Sequence, residues 1–127
     1  VAATACQLYS ASSFGRSAPG VGLPFDAAVS PDGSVLWVVN AASNDVTVID
    51  GATNATTSVS VGDRPFGVAV NSATNKIYVA NFGSRNVTVI DGATLTTEDV
   101  AVGTDPYAVA VNPVTNKIYV ANYGSAM

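Results

Sequence analysis

The sequence predicts an all-β fold built from a four-stranded unit that repeats every 41 residues, and three observations support this fold class. Proline, asparagine and aspartate recur at that spacing, and the equivalent residues are Pro24, Pro65 and Pro106; Asn40, Asn81 and Asn122; and Asp50 and Asp91. Residues 65–83, PFGVAVNSATNKIYVANFG, nearly match residues 106–124, PYAVAVNPVTNKIYVANYG, which indicates a duplicated segment. Short runs rich in Val, Ile, Thr and Tyr alternate with Gly, Asn, Asp and Pro clusters, a pattern typical of strands and turns.

The central unit shows the four strands most clearly, and we name them A to D. Strand A is predicted at residues 66–71, B at 76–81, C at 87–91 and D at 97–102. The Asp-Gly pairs that begin at Asp50 and Asp91 are predicted to open the turns between C and D. We expect each aspartate to cap its own turn by accepting backbone hydrogen bonds.

A repeat of about 40 to 45 residues with four antiparallel strands is the blade of a β-propeller. The composition of the strands agrees with this architecture. Strand A is rich in small residues, which suit the innermost strand because the blades converge there. Strand B carries Trp37, Tyr78 and Tyr119, whose larger side chains suit the wider gap farther out. The predicted fold is therefore a β-propeller with about three blades.

The repeat also predicts how the chain is divided. Residues 1–22 are degenerate C and D strands, at 6–10 and 14–18, or an N-terminal extension; 23–62 are the first blade, 63–103 the second, and 104–127 a partial third with strands A and B. Three blades in the order CD-ABCD-ABCD-AB are too few to close, since closed propellers have about four to eight. Two explanations stay open: the chain is a fragment of a longer propeller, or it self-associates as a homodimer in a six-bladed ring.

Several motif blocks carry a family resemblance. Residues 76–81 (KIYVAN), 86–91 (NVTVID) and 61–65 (VGDRP), together with their copies, resemble the YVTN β-propeller repeats of secreted and surface-layer proteins of bacteria and archaea. The resemblance extends over roughly residues 21–125. It implies the propeller fold and an extracytoplasmic location. It implies little about activity, because one fold hosts many unrelated functions.

The composition excludes several classes of protein. Hydrophobic residues make up 48% of the chain and charged residues 11%, which argues against disorder. Five Lys and Arg stand against nine Asp and Glu, for a net charge of −4, and no basic cluster exists to contact phosphates. Nucleic acid is therefore not an expected partner. No apolar run approaches the roughly 18 to 20 residues that a membrane helix needs, so no membrane span is predicted.

The first residues give a mixed signal about location. Residues 1–5 read VAATA, with the small-residue ending after which signal peptidases cut, but the charged and long apolar regions of a signal peptide are missing. An arbitrary boundary of the chain is the simpler interpretation. Cys6 is the only cysteine, so an intrachain disulfide and a multi-cysteine metal site are both excluded.

Histidine is absent from the whole sequence. Its absence excludes Ser-His-Asp and Cys-His catalysis and the common zinc sites, because these need an imidazole as base or ligand. No catalytic residue, metal site or cofactor is predicted. The asparagines that end strand B at every repeat are expected to form structural hydrogen bonds rather than a ligand site.

The crossovers from strand D to strand A hold the residues that we predict to bind a ligand. These candidates are Asp63, Arg64, Phe66, Arg85, Asp105 and Tyr107. The two arginines interrupt the repeat, and arginine is frequent in recognition surfaces. The two carboxylates could converge at the mouth of the channel. The aromatic residues that follow the repeat prolines, including Phe25, could form a ring there, although packing between blades is the expected role.

These observations predict a non-catalytic propeller scaffold for binding or cell-surface interaction, with a protein, a glycan or a small molecule as ligand. An alternative is a metal-dependent hydrolase or lactonase-like propeller enzyme, with carboxylate and asparagine ligands around the channel. A purely structural surface repeat is a third interpretation.

Overall fold

A computed structural model describes residues 24–124, which form ten antiparallel strands. The first sheet contains β1 (Pro24–Val29), β2 (Val35–Asn40), β3 (Asp45–Asp50) and β4 (Thr56–Ser60). The second contains β5 (Pro65–Asn71), β6 (Lys76–Asn81), β7 (Asn86–Asp91) and β8 (Thr97–Ala101). The third contains β9 (Pro106–Asn112) and β10 (Lys117–Asn122). Each sheet keeps the chain order of its strands, as a propeller blade does.

The all-β architecture and the four strands of the central unit are confirmed, with small shifts at their ends. Strand β5 begins one residue earlier than predicted, at Pro65, because Pro65 pairs with Asn81 across a bulge. Strand β8 ends one residue earlier, at Ala101. The predicted strands at 6–10 and 14–18 lie outside the described residues, as does Cys6. Within residues 24–124, the structure has no helix that could cross a membrane.

The main hydrophobic core lies between the first two sheets. Strands β2, β3 and β4 contribute Trp37, Val39, Val46 and Val59, and the facing strands of the second sheet contribute Val68, Ile77, Val79 and Ile90. A second cluster, of Val38, Ile49 and Leu36, lies on the opposite face of the first sheet, since alternate residues of a strand point to opposite faces. Each sheet thus has two apolar faces and depends on neighbours on both sides.

The innermost strands approach each other closely. Strand β5 lies between β1 and β9. A Cβ atom added to Gly67 would lie 2.8 Å from the carbonyl oxygen of Tyr107 and 3.0 Å from the Cα of Ala108, so β9 leaves no room for a side chain there. On the other side, the Oδ2 of Asp26 accepts a hydrogen bond of 3.1 Å from the backbone N–H of Val68. This bond joins the inner strands of the first two sheets.

Strand B of each complete sheet, β2 or β6, ends with an asparagine whose side chain forms hydrogen bonds. The Nδ2 of Asn40 donates to the Oδ1 of Asp45 at 2.9 Å and to the Oγ1 of Thr47 at 2.8 Å. The Nδ2 of Asn81 donates at 2.8 Å to Asn86 and to Thr88. The predicted structural role of these asparagines is confirmed. Their Oδ1 atoms are buried without a hydrogen-bond partner in the described chain.

The two Asp-Gly turns have the predicted caps. The Oδ1 of Asp50 accepts hydrogen bonds from the backbone N–H groups of Ala52 and Thr53. The Oδ1 of Asp91 accepts equivalent bonds of 2.9 Å and 3.2 Å from the two residues at the same places in its own turn. The bond from Ala93 is the main reason why the pKa of Asp91 is lowered from its ordinary value of 3.8.

The third sheet leaves part of the second sheet uncovered. It has two strands among the described residues, whereas the first two sheets have four. An apolar gap of about 200 Å³ remains beside the outer strands of the second sheet, and Val87, Val89 and Val100 line it together with Ile118 and Val120 of β10. The exposure of Val100 follows from this gap.

We predict that Gly67→Ala destabilises the protein by about 1–3 kcal/mol, since the new methyl group must displace the backbone of β9. Gly51→Ala is the matched control, because a Cβ there would meet one carbonyl oxygen at 3.1 Å. Denaturant unfolding measures both changes. Equal losses of stability in the two variants would contradict the close approach of β5 and β9.

The cap of Asp91 predicts a pH dependence. The folded pKa lies below the unfolded value of 3.8, so the ionised carboxylate stabilises the fold above that pH and this contribution is lost as the pH falls through the folded pKa. Asp91→Asn keeps an oxygen acceptor but removes the charge. The difference in unfolding midpoint between the protein and this variant should therefore shrink on acidification. A difference that stays constant from neutral pH into strong acid would disprove this account.

Candidate functional site

The aromatic residues after the repeat prolines sit at β-bulges. In the pairing of β5 with β6, Pro65 lies opposite Asn81 and Gly67 opposite Ala80, so Phe66 has no partner in the register. Phe25 and Tyr107 likewise have no partner residue on the neighbouring strand. A bulge bends its strand and changes the direction of the extra side chain. The repeat therefore brings one aromatic ring from each inner strand towards a common place.

These rings form an aromatic cluster, which we define as Phe25, Phe66, Phe82 and Tyr107. The rings of Phe25 and Phe66 stack with centroids 4.7 Å apart, and the ring of Tyr107 lies 5.2 Å from that of Phe66. Phe82, from the loop between β6 and β7, lies 5.1 Å from Phe66. The rings from the three inner strands contact one another across the blades, but the predicted core position is wrong for Phe25 and Tyr107. Phe25 is 50% exposed and Tyr107 45%, so the cluster also presents an aromatic surface.

The crossover from β4 to β5 is held in place from both sides. The side-chain Oδ1 of Asn44 accepts a hydrogen bond of 2.8 Å from the backbone N–H of Arg64. The carbonyl oxygens of Asp63 and Arg64 accept bonds of 2.9 Å from the N–H groups of Gly83 and Phe82. Arg64 adopts a left-handed conformation with φ of 48°. The backbone that carries Asp63 and Arg64 is thus fixed by two neighbouring loops.

Arg64 contacts the aromatic cluster through its guanidinium group. Its Cζ atom lies 5.3 Å from the centroid of the Phe82 ring, which is the distance of a cation–π interaction. The side chain is exposed, so its hydrogen-bond donors remain accessible to a ligand. The two neighbouring repeats have Leu23 and Asp105 at this position, and this cation is therefore particular to one blade.

A pocket lies beside Arg64 on the side of the blades that carries the B–C loops and the crossovers, which we call the upper face. Its volume is about 590 Å³, and we call it the Ala41 pocket; it is lined by Ala41, Ala42, Asn44, Asp63, Arg64 and Phe66. Ala41 occupies the repeat position of Phe82 and Tyr123. The pocket exists because an alanine methyl group stands where the other repeats have a ring.

The predicted site residues are only partly brought together. The Ala41 pocket contains Asp63, Arg64 and Phe66, and Tyr107 contacts Phe66 in the aromatic cluster. Asp105 lies at the next crossover, where its carbonyl oxygen accepts a bond of 2.8 Å from the N–H of Tyr123. Arg85 lies in the loop between β6 and β7 and does not line the pocket.

Sequence reasoning missed Ala41 and Asn44, although a signal for both was present. Ala41 interrupts an aromatic position of the repeat, and Asn44 stands where the second repeat has Arg85. A small residue at an aromatic position is as clear an interruption of the repeat as a charged one. Among residues 24–124, no three Asp, Glu or Cys side chains lie close enough together to hold a metal ion.

Comparisons with known proteins support the fold. No family model matches the chain, and no curated protein matches it significantly. Hydrazine synthase of Kuenenia stuttgartiensis is 33% identical, with a TM-score of 0.75 over 80% of this chain and 29% of that chain. The dihydro-heme d1 dehydrogenase NirN, solved in complex with DHE, is 20% identical, with a TM-score of 0.69 over 79% of this chain and 23% of that chain.

A third similar structure is that of a nidogen/laminin complex. It is 14% identical, with a TM-score of 0.70 over 82% of this chain and 41% of that chain. The chain thus spans less than half the length of each of these three proteins. Together with the four-stranded sheets, the similarities show a β-propeller fold. Their names cover both enzymes and a protein complex, so they do not select an activity.

Proposed function

We propose that the protein is a non-catalytic β-propeller scaffold that binds a ligand at its upper face, in the Ala41 pocket. The observation that carries the proposal is the pocket itself. At about 590 Å³, it lies within the range of roughly 300–1,000 Å³ that is common for ligand sites. It also combines apolar walls with a few polar groups, as such sites usually do.

The groups around the pocket favour one kind of ligand group. Ala41, Ala42 and the ring of Phe66 form apolar walls, and Arg64 supplies a fork of donors that suits a carboxylate. Asp63 adds a negative charge to the lining, and its Oδ1 accepts a hydrogen bond of 3.5 Å from the Nδ2 of Asn44. An anionic ligand group must therefore lie against Arg64 and away from Asp63. An aromatic or branched group with a carboxylate beside it satisfies both features. A partner protein offers such a group as an acidic residue next to an aromatic one, and a small acid offers it directly.

The scaffold proposal includes a family and a location. The blocks at residues 61–65, 76–81 and 86–91 support a YVTN-type repeat protein outside the cytoplasm. Strands β6 and β7 coincide with two of these blocks. The repeat blocks therefore form the framework of the blade, while the pocket arises from Ala41 and Arg64, which interrupt the repeat.

We predict that benzoate binds the pocket more tightly than benzylamine does, because the two share a ring and differ in the charge that meets Arg64. Chemical-shift changes at the backbone amides of Ala41, Ala42 and Phe66 measure the binding. Ala41→Phe should abolish it without loss of stability, since the equivalent positions already carry Phe82 and Tyr123. Arg64→Ala should weaken benzoate binding by about tenfold or more, because it removes a hydrogen bond between charged groups. The preference for benzoate over benzylamine should disappear with it.

One control variant makes this test decisive. Arg85 is exposed, as Arg64 is, but it does not line the pocket. Arg85→Ala should therefore leave benzoate binding unchanged. Unaltered binding in Ala41→Phe, or an equal effect of both arginine variants, would show that the Ala41 pocket is not the site.

We also propose that the incomplete third sheet is completed by strands C and D from residues 6–18 of a second copy. Residues 6–18 are long enough for two short strands and a turn. The gap beside Val87, Val89 and Val100 has the apolar lining that such strands cover in the other blades. A two-fold assembly of this kind buries the open face of each chain.

Light scattering tests this assembly. We expect a mass about twice the 12.8 kDa of one chain. Val89→Lys places a charge in the gap and should yield monomers, while Val114→Lys, at a turn position that is 90% exposed, should not. A monodisperse species near 12.8 kDa for the unaltered chain rules out the homodimer.

A further inference from the structure

The outer edge of the first sheet lacks the charges that the equivalent edge of the second sheet carries. Strands β4 and β8 are the outermost strands of these sheets, with no further strand beside them among residues 24–124. Strand β8 reads TEDVA and carries Glu98 and Asp99, whereas β4 reads TTSVS and carries no charge. An exposed edge strand is a template for pairing with another chain, and charged side chains are a common protection against it. Strand β4 is without this protection.

The turn before β4 carries an acceptor sequence for an N-linked glycan. Residues 54–56 read Asn-Ala-Thr, which matches the acceptor pattern Asn-X-Ser/Thr with a residue other than proline in the middle. The equivalent residues of the second repeat, 95–97, read Leu-Thr-Thr and do not match it. The acceptor sequence therefore stands in the blade whose outer edge is uncharged.

The fold presents this acceptor sequence to solvent. The turn lies on the lower face of the blades, opposite the Ala41 pocket, and Asn54, Ala55 and Thr56 are all exposed. The backbone N–H of Asn54 donates a hydrogen bond of 2.8 Å to the carbonyl oxygen of Asp50. The Asn54 side chain forms no hydrogen bond with another described residue. Its amide nitrogen is thus accessible, and the turn does not depend on it.

A second match to the pattern shows what the fold excludes. Residues 86–88 read Asn-Val-Thr, but they belong to strand β7. The Oδ1 of Asn86 accepts a hydrogen bond of 2.8 Å from the Nδ2 of Asn81, and the next two residues, Val87 and Thr88, are 3% and 1% exposed. A glycan is bulky and needs a surface position. The folded chain therefore accommodates a glycan on Asn54 and not on Asn86.

We propose that Asn54 is an N-glycosylation site and that its glycan shields the uncharged edge of β4. In the reaction, the Nδ2 of Asn54 forms a bond to C1 of the first sugar of a polyprenyl-diphosphate-linked oligosaccharide. The bond from C1 to the diphosphate oxygen breaks, the polyprenyl diphosphate leaves with the electron pair, and Nδ2 loses one proton. The inference rests on the extracytoplasmic location proposed above, because this acceptor sequence is used in secreted proteins.

Glycopeptide mapping tests the acceptor site. The full chain is passed through a eukaryotic secretory pathway, and the folded, secreted protein is analysed by intact mass and by mapping of its glycopeptides. We expect one glycan, on Asn54, and none on Asn86. Thr56→Ala should remove the glycan, whereas Thr56→Ser should keep it, since serine also satisfies the acceptor pattern. The two variants alter the same exposed residue and are therefore matched.

Secreted protein without a glycan on Asn54, or with equal occupancy of Asn86, would overturn the acceptor site. If the cells retain the chain, the same mapping is applied to purified folded chain after treatment in vitro with an oligosaccharyltransferase and a lipid-linked oligosaccharide, and the same results decide. Both arrangements supply the enzyme and the sugar donor. A negative result therefore counts against the site and not against the proposed location, and benzoate binding tests the Ala41 pocket separately.

The shielding of β4 has its own measurement. Thr56→Ala protein, which lacks the glycan, should aggregate faster than the glycosylated chain at equal concentration, as followed by light scattering. Adding Thr57→Glu to Thr56→Ala places a carboxylate at the repeat position of Glu98 and should slow aggregation again. Adding Thr115→Glu, in an exposed turn of the third sheet, supplies the same charge elsewhere and should not.

Two results would contradict the shielding: equal aggregation of the glycosylated chain and the Thr56→Ala protein, or equal rescue by Thr57→Glu and Thr115→Glu. Circular dichroism of each variant shows whether it is folded, so that aggregation of an unfolded chain is not mistaken for pairing at the edge of β4.

Discussion

The structure depends on the burial of two apolar faces per sheet. Strands β2 and β6 have hydrophobic side chains at successive positions, and both faces of the second sheet need a neighbour. A single blade in water would expose the apolar side chains on both of its faces. Stacking is therefore a condition of stability, and Gly67 is one place where stacked blades are in close contact.

The repeated residues form the framework of the blades, and the pockets lie beside residues that interrupt the repeat. Asn40 and Asn81 form equivalent hydrogen bonds in the first two sheets and stabilise the end of strand B in each. Ala41 and Trp37 each occur in the first blade alone, and each opens onto a pocket between the first two sheets. One pocket is on the upper face and the other on the lower. The interface between the first two sheets therefore has one pocket on each face of the blades.

The bulges explain why the aromatic residues could be located in the sequence but their role could not. The spacing identified Phe66 and Tyr107, and it favoured packing between blades. The extra residue in each ladder turns these rings towards one another, so they pack together while Phe25 and Tyr107 stay half exposed. No spacing rule shows a bulge, because it depends on how Pro65 and Gly67 pair with the neighbouring strand.

The sequence by itself determined the fold class, the four strands of each complete unit and the structural role of Asp50, Asp91 and the repeated asparagines, because these depend on local pattern and turn chemistry. Only the tertiary structure decided which residues share a site. Asn44 meets Arg64 across twenty positions of the chain, and Asp32 and Asn75 face one pocket from different blades. Such contacts arise from the packing of neighbouring sheets. The sequence of one repeat does not show how far its side chains lie from those of the next repeat.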